Sequence, residues 1–353
     1  MPVDDTVKVV VLGTGQMGSG MIKLLLQKSG IDLVGVYGRR ASRVGLDVGQ
    51  VLGLDTALGV QVSHDLSAVL AHTKPHVVLQ ATCSRVSEAV DEITTALQHR
   101  ANVISIAEEM AYPAYKAPQS AAVLHQLALD HQVTVVGTGI NPGFVLDLLV
   151  IALTGVCWRV DAIRAQRVND LSPYGPAVLT SQGVGLTPAA FHQGLQDGTV
   201  VGHYGFPESI SMIARALGWH IDRIVQHREP IISRVTRATP FVTIEPGRTA
   251  GCLHTAVAYR HDEPVITLIH PQQVHPHLEH IATGDVIDIH GEPPVHFASS
   301  PEIPGGLGTI ALAVNMIPPV MNAAPGLTSM AALPVPAAIM GDVRMLLHAR
   351  PPQ

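Results

Sequence analysis

The run Gly13-Thr14-Gly15-Gln16-Met17-Gly18 constrains this chain more than any other feature, because it follows Val-Lys-Val-Val-Val-Leu from Val7 and opens an apolar helical pattern. The first run is short, β-branched and apolar, the look of a parallel strand buried on both faces. Met21, Ile22, Leu24, Leu25 and Leu26 supply the apolar side of a helix expected over Met17 to Lys28. Strand, G-x-G-x-x-G and helix in that order begin a βαβ unit built around a pyrophosphate. Gly13 permits the tight turn, Gly15 lets the backbone approach the phosphates, and Gly18 allows close helix packing. The helix N-terminus adds unpaired N–H groups and a positive dipole end. A glycine-rich turn without a ligand is the bland alternative. The expectation is a dinucleotide held by Gly13, Thr14, Gly15, Gln16, Met17 and Gly18.

Strand-like runs recur at Ile31 to Tyr37, Val60 to Val62, His76 to Gln80, Asn102 to Ile106 and Val133 to Val136. Helical segments at Leu66 to His72, Ser87 to His99 and Ser120 to Asp130 separate several of them. This alternation predicts an α/β Rossmann domain, a doubly wound parallel sheet, over residues 1–147. The pattern then changes. Asp161 to Val168, Glu229 to Ala238, Phe241 to Glu245, Cys252 to Arg260 and Pro264 to His270 read as strands, with helices only at Pro188 to Gln196 and Pro207 to Leu217. Connections such as Glu245-Pro246-Gly247-Arg248 and His261-Asp262-Glu263 suit antiparallel hairpins. An α+β domain with a mostly antiparallel open sheet is expected over 148–305, for substrate binding and dimerisation. In residues 306–353 an apolar helix, Thr309 to Ala323, is expected to pack back on the first domain.

The 353 residues are enough for two cores, and 47% hydrophobic against 14% charged residues points to buried subunit surface, hence a homodimer. A net charge of -6 without a Lys/Arg run argues against nucleic acid or anionic lipid as partners. No signal peptide or bilayer-length apolar run is seen, so a cytoplasmic protein is expected. Three scattered cysteines, Cys83, Cys157 and Cys252, offer neither a disulfide framework nor a Cys-pair zinc site. The patch His270, His275, His277 and His280 has a spacing able to collect a metal, but it contains Pro271 and Pro276 and no nearby Cys. It reads as a solvated loop, and no metal is expected.

The second strand ends Val36-Tyr37-Gly38-Arg39-Arg40, where a site for NAD usually carries an acid for the ribose 2′-OH. Arg39 and Arg40, with Arg43 as a third candidate, suit a 2′-phosphate, which favours NADP(H) with NAD(H) as second choice. Solvated loop arginines are the other reading. The fifth strand runs into Ser105-Ile106-Ala107-Glu108-Glu109, two carboxylates at the edge of the sheet where ligands bind. Either the pair is a helix N-terminal acid pair favoured by the dipole, or one member, Glu108 for preference, faces the nicotinamide as a desolvated proton carrier. Ala81-Thr82-Cys83-Ser84 and Gly137-Thr138-Gly139-Ile140-Asn141-Pro142-Gly143-Phe144 should line the same edge. Thr82, Ser84 and Asn141 are cofactor candidates there, although turn chemistry alone would also account for G-x-N-P-G.

Gly13 to Gly18, Ser105 to Glu109 with Tyr112-Pro113, Gly137 to Phe144 and Gly202-His203-Tyr204-Gly205-Phe206-Pro207-Glu208-Ser209 together resemble one family. It is that of the 2,4-diaminopentanoate dehydrogenases with the related native amine dehydrogenases. The resemblance continues through Leu217-Gly218-Trp219, Glu229-Pro230, Gly308-Thr309, Asn315, Pro318 and Ala324-Pro325-Gly326-Leu327, nearly the whole chain. It implies reductive amination of a small ketone or aldehyde with ammonia, and the reverse deamination of an amine, with hydride transfer at an iminium and Glu108 handling the proton. Under the same resemblance Pro142, Phe144, Asn169 and Tyr174 become candidates for the substrate pocket, and Asn315 for the nicotinamide amide. A diamino acid substrate is an alternative, for which Arg164 and Arg167 are available. The N-terminal half also resembles dihydrodipicolinate reductase, but that family's His-His pattern with a following Lys motif is absent here. An imine reductase, and a sensor of NADP(H) without turnover, complete the alternatives.

Overall fold

The computed structural model describes residues 5–348. They divide into two units, the first running to Phe144 and resuming at Gly305, the second spanning Val145–Pro304. The first begins β1 (Val7–Leu12), α1 (Gln16–Leu25), β2 (Ile31–Tyr37), α2 (Val48–Leu52), β3 (Val62–Ser63), α3 (Leu66–Thr73) and β4 (Val77–Gln80). It continues with α4 (Val86–Gln98), β5 (Asn102–Ser105), α5 (Pro118–Asp130) and β6 (Thr134–Gly137). The second unit holds α6 (Leu148–Thr154), β7 (Arg159–Asp170), α7 (Pro176–Ser181), α8 (Pro188–Asp197), α9 (Phe206–Leu217), β8 (Arg223–Ile232), β9 (Arg237–Ala238) and β10 (Thr243–Ile244). It ends with β11 (Thr249–Arg260), β12 (Glu263–Gln273), β13 (Gly284–Glu292) and β14 (Val295–Ser299). The chain then re-enters the first unit as α10 (Gly305–Asn315), α11 (Ile317–Asn322) and β15 (Gly326–Thr328).

The first unit is a parallel sheet in the order β15-β6-β5-β4-β1-β2-β3, a doubly wound arrangement. Every residue of β4, β5 and β6 is buried, as strands covered by helices on both faces must be. Under one face lies a core of Val10, Leu12, Val78, Val103 and Val135 against Ile93, Leu97 and Leu124 of α4 and α5. The C-terminal segment completes the unit: β15 pairs with β6, and Ile310 of α10 fills the space beside Gly20 of α1. The single helix expected over Thr309 to Ala323 is two, because Pro318 and Pro319 start a new helix rather than extend one.

The second unit is a six-stranded sheet in the order β14-β13-β7-β12-β11-β8, antiparallel except where β12 runs parallel to β7. Phe206, Ile210 and Ile213 of α9 and Phe191 of α8 are buried within this unit. The alternation of β7 puts Ile163, Ala165, Arg167 and Asn169 on the buried face and exposes Arg164. Arg167 donates to Asp285 of β13 at 2.6 Å and to the Ile303 carbonyl, an ion pair closed off from solvent. The strand expected over Glu229 to Ala238 breaks after Ile232, and the β13–β14 hairpin, which turns at Pro293-Pro294, was not anticipated. His270 also corrects the expectation: it lies in β12 and is buried, whereas His275, His277 and His280 do occupy the following loop.

Candidate active site

Four loops meet where β1, β4, β5 and β6 end, because neighbouring parallel strands deliver their carboxyl ends to one edge of the sheet. Ile106 N–H donates to Gln80 O at 3.0 Å, Glu109 N–H to Ser84 O at 3.2 Å and Thr138 N–H to Ser105 O at 2.8 Å. Gly13 has φ +111°, and a Cβ there would stand 2.5 Å from Ala81 O, so only glycine admits the neighbouring loop so closely. A Cβ on Gly18 would overlap the Gly13 carbonyl. Gly15 differs from both: it caps α1 without a side-chain acceptor, and nothing lies within 4 Å of where its Cβ would be. That open ground in front of a helix N-terminus is the space a pyrophosphate needs.

Thr14 is buried and its carbonyl accepts from Ser19 Oγ and from Arg43. Gln16 is exposed at the start of α1, and Met17 is half-buried with its Cε near Gly306. Arg39 and Arg40 are both exposed, but Arg39 donates from Nε and Nη2 to Glu92 at 3.1 and 2.7 Å, so part of its guanidinium is already committed. Glu92 also accepts from Thr82 Oγ1 and, at 3.3 Å, from Gln80 Nε2. Gln80 Oε1 accepts in turn from Ser105 Oγ at 2.5 Å. Thr82 is therefore one member of a polar chain from Ser105 to Arg39. The sequence reading missed Gln80, Ser105 and Glu92. Their signal was a glutamine ending an all-apolar strand and an acid on the core-facing side of α4, beside Ala89, Ile93 and Ala96.

The two glutamates part company in the structure. Glu109 is buried, accepts from Val86 N–H at 2.9 Å at the start of α4, and pairs with Lys116 at 2.5 Å. Glu109 thus faces the N-terminus of α4, not that of its own short turn, where the dipole reading had put the pair. Glu108 keeps some exposure as a residue, but burial of its carboxyl pushes the pKa up from 4.5 to about 7. The Ser84 hydroxyl, hydrogen-bonded to it, pulls the other way, and the charge of Glu109 adds to the rise. A carboxyl poised near neutrality is suited to exchanging protons with an amine.

Asn141 and Pro142 follow β6 in the same group of loops, joined by a cis peptide bond; Pro142 is buried, and Phe144 at the end of this stretch is half-buried. Close by, Ile140 N–H donates to Thr309 Oγ1 of α10 at 3.1 Å. Asn315 Oδ1 accepts from Ile339 N–H at 3.1 Å, which ties its acceptor to the C-terminal segment. In the second unit Asn169 is buried and bonds the Tyr174 side chain, whose phenol is raised in pKa by burial. Near Arg167 the rings of His203, His254, His270 and Phe206 pack edge to tilted, with centroids 4.8 Å apart for successive neighbours. His254 is fixed by His203 N–H at Nδ1 and by Gln226 at Nε2, both 3.0 Å. Burial lowers the pKa of His203 to about 3 and of His254 to about 2, so both rings are neutral at ordinary pH. The sequence reading left this cluster aside because His254 and His270 meet only through the β11–β12 register.

No helix of the described residues is long and apolar enough to cross a membrane. Residues 144–349 match the family profile for the 2,4-diaminopentanoate dehydrogenase C-terminal domain, and residues 7–106 match that for the dihydrodipicolinate reductase N-terminus. The chain is 44% identical over 353 residues to 2,4-diaminopentanoate dehydrogenase of Acetoanaerobium sticklandii, covering 97% of this chain and 98% of the relative. It is 28% identical over 279 residues to an amine dehydrogenase of Streptomyces virginiae, 76% of each chain. Its fold superposes on the solved amine dehydrogenase of Mycobacterium smegmatis with a TM-score of 0.85 at 27% identity, over 95% of this chain and 98% of that one. The chain therefore belongs to the 2,4-diaminopentanoate dehydrogenase family and is an oxidoreductase acting on amine donors.

Proposed function

We propose that this protein deaminates a small primary amine to its carbonyl and ammonia with a nicotinamide dinucleotide, and runs the reverse amination. The observation that carries the reading is the Glu108 carboxyl, with a pKa of about 7, among the loops that surround Gly15. The uncapped start of α1 and the open space at Gly15 fit a dinucleotide, with Gly13 to Gly18, Thr82, Ser84 and Asn141 as the residues that would hold it. Bound there, the nicotinamide supplies the two-electron hydride exchange. Ionised Glu108 accepts the proton of the substrate ammonium and so frees the amine lone pair that drives hydride loss; after passing that proton to solvent, the carboxylate offsets the positive charge of the C=N carbon. Ser84 donates to that carboxylate and holds its orientation.

NADP(H) is the favoured cofactor, with NAD(H) second. The reading rests on Arg40, exposed after β2 with no acid at that strand end. Arg39 contributes less than its position suggests, since two of its donors are held by Glu92. For the substrate, a small ketone or amine follows from how few uncommitted charges the candidate pocket residues bring. A diamino acid is the second reading, favoured by the full-length relative named for 2,4-diaminopentanoate. Against it, Arg167 is already neutralised by Asp285. The test is NADPH and NADH oxidation with small ketones and aldehydes, with and without ammonium, alongside the reverse reaction on simple amines and 2,4-diamino acids. Ammonium-independent reduction of a C=N or C=O bond would move the reading to an imine or carbonyl reductase.

A further inference from the structure

We propose that Asp170, His275 and His277 form a binding site for a divalent first-row transition metal of the zinc type. One ligand atom from each lies within 4.8 Å of the others. In a tetrahedral site with bonds of about 2.0–2.1 Å, ligand atoms stand about 3.3 Å apart, so closure needs movements of only about 1–1.5 Å. His277 is exposed and free to make that movement, while Asp170 and His275 are half-buried and anchored.

The anchoring already has the form a metal site requires. His275 Nε2 donates to the Ala238 carbonyl at 2.9 Å, which leaves Nδ1 as the nitrogen that faces Ser172. A ligating histidine held through its other nitrogen by a carbonyl is the usual outer shell of such a site. The Nδ1 atom lies 2.8 Å from Ser172 Oγ, but that single hydroxyl proton is also sought by Asp170 Oδ1 at 2.5 Å. When Nδ1 is unprotonated, one proton cannot serve both acceptors, and a cation on Nδ1 then removes the competition. Asp170 Oδ1 further accepts from the backbone of Ser172 and His275, whereas Oδ2 takes part in none of these bonds and remains for a ligand. The His275 backbone is left-handed at φ +46°, a conformation these bonds to its N–H sustain. Arg237 next to the cluster is paired with Glu279 and is also attracted by the charge of Asp170. Two imidazoles and one carboxylate leave a fourth position for water and match zinc, cobalt or nickel better than calcium or magnesium. The cation would join the end of β7, which carries Asn169 and leads to Tyr174, to the loop after β12.

The test uses untagged, chelator-treated full-length protein titrated with Co2+ and then Zn2+. The expected result is one Co2+ per chain with the visible bands of low-symmetry coordination, displaced by Zn2+. His277→Ala should weaken binding at least about tenfold, and Asp170→Asn should do likewise. His280→Ala, a neighbour on the same loop outside the cluster, should leave it unchanged. Since Asp170 also holds backbone, the exposed His277 carries the decision. Absence of saturable Co2+ binding to the wild type, or equal affinity in wild type and His277→Ala, overturns the proposal.

Discussion

Replacing Glu108 by glutamine should make the protein more stable above neutral pH while removing its activity. In the folded chain Glu108 holds its proton up to about pH 7, against 4.5 for an ordinary glutamate, and burial is the main cause. Between those values the folded state binds more protons than the unfolded one, so stability falls as pH rises through this window. Above pH 7 the full penalty is present, and below about 4.5 it is absent. At 1.36 kcal/mol for each factor of ten in the proton equilibrium, its upper bound is about 3 kcal/mol. Solvent on the partly open side of the residue screens some of it, so about 1–3 kcal/mol is expected. Glutamine keeps the shape and cannot ionise. Urea unfolding of wild type and Glu108→Gln at pH 5 and pH 8 should therefore give a stability gap that opens with pH in favour of the variant. Its deamination rate should fall by about a hundredfold or more, the usual contribution of a positioned acid or base. A pH-independent gap would show that Glu108 is not desolvated, and a variant that aminates at wild-type rate would show that it is not the proton carrier.

Further outcomes follow from other parts of the fold. In the wild type, deamination at saturating substrate should rise with pH through about 7 as Glu108 ionises, and a profile flat across that range would contradict its role. Gly15→Ala meets no atom within 4 Å and should unfold within about 0.5 kcal/mol of wild type, yet lose dinucleotide affinity at least about tenfold by fluorescence titration. Gly18→Ala forces a Cβ into the Gly13 carbonyl and should be destabilised as well. Arg40→Ala should lower the NADPH to NADH preference in steady-state kinetics; an unchanged ratio would mean that the 2′-phosphate is read elsewhere. Asp285→Ala strands the buried guanidinium of Arg167 and should cost about 3–5 kcal/mol in unfolding free energy.

The first unit was legible because its signals are local. A strand buried on both faces is apolar throughout, the glycine run has one meaning in that setting, and parallel order follows from the strand–helix alternation. The second unit was less so. β13 disguises itself with Asp285 and Asp288, the first of which is buried only because Arg167 arrives from β7. Arg167 in turn reads as a surface charge until the period of two along β7 is fixed by Ile163 and Ala165 on the same face.

The same distinction decides what could be read of the site. Glu108 and Glu109 are adjacent, and no periodicity in so short a turn says which carboxylate turns toward Val86 N–H and which toward Ser84. Only the positions of α4 and Lys116 settle it, by giving Glu109 partners for both oxygens. Arg39 shows the converse. Its place after β2 pointed to a phosphate, but Glu92, 53 residues away, holds two of its donors. Through Thr82 and Gln80 the same acid joins Arg39 to Ser105 at the end of β5, next to the turn that carries Glu108. Every link in that chain is part-buried or buried, so a change at Glu92 leaves Gln80, Thr82 and Arg39 each short of a partner. Glu92, which no motif contains, thus holds three residues of this edge of the sheet at once.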